Sequence, residues 1–128
     1  MVNMYLELKA LFFCILKCYN NLYGDNMRLK IGLFIDTFYP MIDGVVTVVD
    51  NYARVMGKTA DVYVFAPKTG TFDDSNLPYT VIRCKSKQVK GKDYRVPIPK
   101  LDSTFMNKLN SIDLDVVHIH SPMMLGKV

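Results

Sequence analysis

The stretch that decides the fold is Leu29-Lys-Ile-Gly-Leu-Phe-Ile35, followed by Asp36-Thr-Phe-Tyr-Pro-Met-Ile-Asp-Gly44 and then by Val45 to Met56. A short, nearly continuous apolar run suits a strand buried on both faces of a parallel sheet. Asp36 ends it, and the segment holding Pro40 and Gly44 reads as a loop. Asp43 or Gly44 is placed to cap a helix running to about Met56, with Val45, Val49, Tyr52 and Met56 on its inner stripe. The helix is rich in β-branched Val, so packing rather than propensity must hold it. Gly57 is a natural stop, with Arg54 and Lys58 near the negative end of the helix dipole.

Working outward, Ala60-Asp-Val-Tyr-Val-Phe-Ala66 predicts a second strand ended by Pro67, and residues 69–78 a polar loop. Tyr79-Thr-Val-Ile-Arg-Cys84 predicts a third strand. A basic segment follows and closes with Val96-Pro-Ile-Pro99, whose two prolines enforce extended chain. Leu101 to Ile112 predicts a helix capped by Asp102 or Ser103, with Phe105, Met106 and Leu109 inward. Leu114-Asp-Val-Val-His-Ile-His120 predicts a fourth strand stopped by Ser121-Pro122. The succession strand, helix, strand, strand, helix, strand is that of an α/β, Rossmann-like parallel sheet.

The chain has 128 residues, which bounds it to one domain. Half of the residues are hydrophobic and 22% are charged, which excludes disordered and low-complexity classes. The net charge of +4 is too small to argue for nucleic acid. It is unevenly spread: Arg83 to Lys100 carries a local net of +6, and the remainder nets −2. That segment is either a solvated loop or a surface for anionic membrane, with Lys85, Lys87, Lys90, Lys92 and Arg95 as candidate contacts. One tyrosine among them, Tyr94, makes no stacking platform for nucleic acid.

Cys14, Cys18 and Cys84 show no paired spacing, which points to a reducing, cytoplasmic compartment. Cys14 and Cys18 read as small buried hydrophobes. Residues 1–26 read as an N-terminal extension. Leu8, Leu11, Phe12, Ile15 and Leu16 fall on one helical stripe, which suits a short amphipathic helix packed on the domain or lying on a membrane. An early start codon is the competing explanation, because Met27-Arg-Leu-Lys30 is itself a common lead-in to a first strand. The domain proper is residues 27–128.

In doubly wound sheets the ligand crevice lies outside the carboxyl ends of the strands, where the winding reverses. If the first and fourth strands are neighbours, the loop from Asp36 to Gly44 and the chain from His120 flank that point. Gly44 opens a helix, where free N–H groups attract phosphate and a missing Cβ permits close approach; it equally suits a cap. A dinucleotide fingerprint is absent, since Gly44 is the loop's one glycine and Gly32 lies within the strand. His118 and His120 share a face of the fourth strand. With no further His, a metal would need Asp or Cys84 as third ligand, and none is expected. His118 reads instead as a hydrogen-bonded interior residue. His120 at the strand end is placed to bond a sugar hydroxyl or polarise a reacting group.

Three blocks occur in order: Lys30 to Thr47, Asp61-Val-Tyr-Val-Phe-Ala-Pro67, and Asp115-Val-Val-His-Ile-His-Ser-Pro122 with Leu125-Gly126. Together they resemble the N-terminal half of family-4 retaining glycosyltransferases, nearest the diacylglycerol glucosyltransferase and phosphatidylinositol mannosyltransferase branch. The resemblance implies an incomplete first domain of a two-Rossmann-domain, GT-B enzyme. Such an enzyme moves a hexose from a nucleotide-sugar donor to a lipid or glycolipid acceptor with retained anomeric configuration, without cofactor or metal. It implies that Gly44 admits the donor diphosphate, that His120 sits beside the transferred sugar, and that Asp36, Tyr39 and Pro40 border the acceptor. It also implies peripheral contact with the inner face of the plasma membrane.

The family's nucleotide grip and its paired glutamates belong to the second domain, and Glu7 is the single glutamate here. The chain is therefore expected to be inactive alone. A non-catalytic remnant, or half of a split enzyme that binds a nucleotide, lipid or partner chain, fits the same residues. The fourth strand is expected to stand at an uncovered sheet edge, with marginal stability as the result.

Overall fold

The computed structural model describes residues 28–70, 72–92, 94–120 and 123–128, together with Leu22. The proposed helix around Leu8 to Leu16, Cys14 and Cys18, and the Ser121-Pro122 stop lie outside the described residues.

The chain forms β1 (Lys30–Phe34), α1 (Gly44–Met56), β2 (Asp61–Pro67), a 3₁₀ turn (Asp74–Asn76), β3 (Thr80–Cys84), β4 (Ser86–Gln88) and β5 (Arg95–Pro97). A second 3₁₀ turn (Pro99–Leu101), α2 (Ser103–Ser111), β6 (Val116–Ile119) and a third 3₁₀ turn (Leu125–Lys127) complete it. Four strands make one parallel sheet in the order β3-β2-β1-β6. The α/β, partial Rossmann-like expectation is met. β6 is the expected fourth strand, and the winding reverses between it and β1.

The central strands explain their own composition. On β1 and its flanks, Ile31, Leu33 and Ile35 join α1's Val46, Val49, Ala53 and Met56 and β2's Val62 and Val64 in one core. Phe34 turns to the other face and joins Phe65, Ile82, Cys84, Phe105 of α2 and Leu125. Each face of the sheet thus has its own helix, and every apolar residue of β1 is consumed. Gly32 is required by this second core. A Cβ there would lie 2.8 Å from Leu114 Cδ1 and 3.1–3.2 Å from the rings of Phe34 and Phe65, which stack at 4.5 Å.

The inner stripe of α1 is rotated from the expected one. Val46 and Ala53 are buried, Val45 is exposed, and Tyr52 lies on the flank. Small Ala53 is fully buried in this core, and Tyr52 packs against its margin. Asp43 is the cap: its Oδ1 accepts from Val46 N at 2.8 Å. Gly57 ends α1 with right-handed backbone, and a Cβ there would meet the Ala53 carbonyl at 2.8 Å.

A correction concerns the basic segment, expected as a loop. It folds as an antiparallel hairpin, with Ser86, Lys87 and Gln88 opposite Pro97, Val96 and Arg95. Its strands are three residues long, Ser-Lys-Gln and Arg-Val-Pro, too short for an alternation to announce them. Gly91, with φ of +75°, supplies the turn.

β6 is an edge strand, as expected. Val117 is 54% exposed and Ile119 42%. Beside them a cleft of about 380 Å³ opens between α2 and β6, lined in part by Met106, Leu109, Leu114 and Leu125.

Candidate functional site

The carboxyl ends of the parallel strands carry four segments: the β1–α1 loop, the β2–β3 loop, the β4–β5 hairpin after β3, and the chain after β6. They are bound to one another by specific polar contacts.

Asp36 leaves β1 and is buried at 2% exposure. Its Oδ1 accepts from Leu125 N at 2.8 Å and its Oδ2 from Met124 N at 3.1 Å. Both oxygens are thus engaged in tying the chain after β6 to the loop after β1. Tyr39 is half-buried, its ring lying 5.4 Å from that of Phe72 and 4.9 Å from that of Phe38. Burial and the nearby Asp50 carboxylate push its phenol above the ordinary value. Pro40, joined to Tyr39 by a cis peptide, is exposed, as are Met41 and Ile42 after it.

Arg83 organises this edge, a role the sequence pattern did not single out. Its Nη1 donates to the carbonyls of Tyr39 at 2.9 Å and Pro67 at 2.8 Å and to the Thr69 hydroxyl at 3.1 Å. Nε and Nη2 take both oxygens of Asp74 at 2.9 and 2.7 Å. The guanidinium lies 5.6 Å from the Phe38 ring centre and 5.8 Å from that of Phe72. With its side chain 13% exposed, Arg83 does not belong to the basic surface. The available signal was a lone cation inside the otherwise apolar third strand, Val81-Ile-Arg-Cys84.

Arg95 is half-buried. It donates to Ser86 Oγ, Ser86 O and Gln88 Oε1 and serves as the hairpin's brace. Lys85, Lys87, Lys90 and Lys92 are exposed. Hairpin and α2 meet at Asp102, whose carboxylate accepts from Lys85 N at 2.8 Å and caps α2 at Phe105 N. Burial opposes the charge of Asp102, but these backbone donors hold its pKa below the ordinary carboxylate value.

Gly44 is the exposed first residue of α1. A Cβ built there meets nothing within 4 Å, in contrast to Gly32 and Gly57. The capping role falls to Asp43, so no packing within the described residues calls for glycine at position 44.

His120 extends the β1–β6 ladder, donating its N–H to Phe34 O at 2.9 Å. Its side chain and that of His118 lie on the α1 face. The two ring centres are 4.1 Å apart, and Tyr52 of α1 stands 5.9 Å from His120 and 6.3 Å from His118. His120 Nε2 is buried without a hydrogen-bond partner among the described residues. Burial, aided by the neighbouring imidazole, pushes the His120 pKa down to about 4, and burial lowers that of His118. His118, expected as an interior residue, is half-buried with its ring against those of His120 and Tyr52. No group of three or more His, Cys, Asp or Glu side chains suited to a metal is assembled among the described residues. Cys84 is a free, fully buried thiol whose pKa burial pushes up to about 12.

The structure thus brings Asp36, Gly44 and His120 to one edge, across the point where the winding reverses. It sets the four exposed lysines on a hairpin that leaves that edge from β3.

No protein-family model matches the chain. No solved structure matches it. Among curated proteins, it is similar to the alpha-monoglucosyldiacylglycerol synthase of Acholeplasma laidlawii, with 32% identity over 106 residues. The match covers 78% of this chain and 25% of the synthase, so the chain spans about a quarter of that relative's length.

Proposed function

We propose that this chain is the acceptor-side part of a glycosyltransferase that moves a hexose from a nucleotide-sugar donor to a lipid or glycolipid acceptor with retention. The observation that carries the reading is the 32% identity, over most of the chain, to a synthase whose name specifies an alpha-glucosylated diacylglycerol. Fold alone would not supply it, because Rossmann-like sheets host many chemistries.

In this reading the donor diphosphate approaches the open amino end of α1, where Gly44 leaves room for it and backbone N–H groups favour negative charge. His120, kept neutral by burial, hydrogen-bonds the transferred sugar through an imidazole nitrogen. Tyr39 and Pro40, with exposed Met41 and Ile42 beside them, border the acceptor. Asp36 takes no direct part; it holds the two flanking segments together. The nucleotide grip belongs to a further domain, and neither metal nor cofactor is required.

Lys85, Lys87, Lys90 and Lys92 supply attraction to an anionic membrane, at about 1 kcal/mol per cation near such a surface. In this reading the protein works peripherally at the inner face of the plasma membrane. Among the described residues no helix is long and apolar enough to cross a membrane.

The test supplies a donor-binding domain in trans. The chain is mixed with the donor-binding domain of the similar synthase, a radiolabelled nucleotide-glucose and diacylglycerol vesicles. Labelled glucolipid that requires both polypeptides is the expected result. Absence of product with uridine- and guanosine-diphosphate hexoses alike, while the two polypeptides associate, overturns the reading.

A further inference from the structure

Successive same-face residues of a strand have Cα atoms about 6.6 Å apart along the chain. The imidazoles of His118 and His120 are only 4.1 Å apart between centres and inclined by 33°, so the two rings lean into contact. Tyr52 flanks both from α1. Backbone pairing fixes the base of the stack: Leu33 is opposite His118, and Phe34 O receives the His120 N–H.

Among the described residues no free carboxylate stands by to offset a second positive charge. On α1, Asp50 is held by Arg54 at 2.9 Å and by the Tyr79 hydroxyl at 2.5 Å. Asp36, after β1, is engaged by the Met124 and Leu125 N–H groups. Facing the pair from β1 is apolar Leu33, and from α1 the phenol ring of Tyr52. Two imidazolium ions stacked at this distance in a half-buried site would repel strongly.

We propose that His118 is a positioning residue for His120: the stacked imidazoles form one unit that admits a single proton, which fixes the His120 ring and keeps it as a neutral hydrogen-bonding group at the carboxyl edge. The single-proton unit rests on the ring stacking, its half-buried site and the engagement of the nearby carboxylates. Its service to sugar transfer rests on the function proposed above. His120 Nε2, buried without a hydrogen-bond partner among the described residues, belongs to the ring the stack holds in place. Burial lowers both imidazoles, and the like charge of His118 adds to the lowering at His120.

The test is a nitrogen- and proton-detected NMR titration of both imidazoles in the full 128-residue chain, with and without His118→Phe. The phenyl ring keeps the stack and the burial but cannot be protonated. In the unaltered protein both rings should titrate below the ordinary histidine value, with ring-to-ring Overhauser contacts. In His118→Phe the His120 midpoint should rise toward that value with its backbone shifts unchanged. An unmoved His120 midpoint in a folded His118→Phe overturns the proposal. So do two independent titrations near the ordinary value in the unaltered protein, a result that needs no variant to fold. Loss of sugar transfer in the two-domain assay with the titration behaviour intact would instead count against the transferase reading.

Discussion

The Asp36 carboxylate bonds the backbone N–H groups of Leu125 and Met124, residues almost ninety positions later in the chain, and so joins the segments that follow the two strands at the winding reversal. Removing this acceptor leaves two donors unpaired at a buried site. Asp36→Ala should therefore cost about 2–3 kcal/mol. The check is urea denaturation combined with hydrogen exchange, in which the Met124 and Leu125 amides should lose protection before the β1–β2 ladder does.

Arg83→Lys is the informative change at the centre of the edge. Lysine retains the charge but not the planar fork that reaches Tyr39 O, Pro67 O and both oxygens of Asp74 together. Stability should fall by about 1–3 kcal/mol, with faster proteolysis between residues 37 and 44. Vesicle binding should be unchanged, since this cation is turned inward. Replacing Lys85, Lys87, Lys90 and Lys92 by Gln should instead abolish salt-sensitive flotation on anionic vesicles and leave the melt intact. Flotation equal in both proteins would remove the hairpin from the membrane.

Gly44 separates packing from binding. Since a Cβ at this position meets nothing within 4 Å, Gly44→Leu should fold with unchanged or slightly raised stability. Gly32→Ala, forced against Leu114 and two rings, should lose stability on the order of 1–3 kcal/mol. In the two-domain assay Gly44→Leu should weaken donor binding at least tenfold. Unaltered donor affinity would return Gly44 to a purely local role. His120→Ala should lower turnover by orders of magnitude while the fold persists, as circular dichroism would show.

The pH dependence of stability has a defined sign. His120 and His118 have folded pKa values below the unfolded value of about 6.5. The unfolded chain therefore binds more protons between pH 6.5 and about 4, and stability falls as pH drops through that window. Asp50 is shifted in the same direction: burial opposes its charge, but Arg54 and Tyr79 prevail and lower its pKa. Asp50 and Asp102 give up their contribution only at still lower pH. Urea midpoints measured from pH 7.5 to 4 should decline in the unaltered protein, and the decline should shrink in His120→Gln.

The open side of β6 governs handling of the isolated chain. Val117 and Ile119 face solvent from an edge strand with one free ladder side. The protein should self-associate at micromolar concentration, and Val117→Lys should suppress this. A sharp, reversible, monomeric melt of the unaltered chain would contradict the expectation.

The parallel sheet was legible because its information is local. Ile31, Leu33, Val62 and Val64 announce buried strands by composition, and Asp43 and Asp102 announce the helix starts by type and position. Gly44 and His120 could be placed at one edge because strand ends and topology together fix location. What escaped depends on long-range pairing. Arg83 reads as one more cation until the carbonyls of Tyr39, from the β1–α1 loop, and Pro67, from the end of β2, are brought to it. Arg95 reads the same way until Ser86 and Gln88 fold opposite it. The stack of His118 on His120 was out of reach because alternation assigns a shared face but not the lean of two rings toward each other.

Arg83 also decides how the edge meets a ligand. One guanidinium holds the carbonyl of Tyr39 in the first loop, the carbonyl of Pro67 at the end of β2, and the Thr69 hydroxyl and Asp74 carboxylate in the second loop. The two loops are consequently a single plate rather than two flaps. Their ordering entropy is lost during folding and not at the moment of encounter, so an incoming molecule meets a surface already in shape. Association should be fast and nearly free of rearrangement, and selectivity at this edge should come from rejecting what does not match a fixed contour.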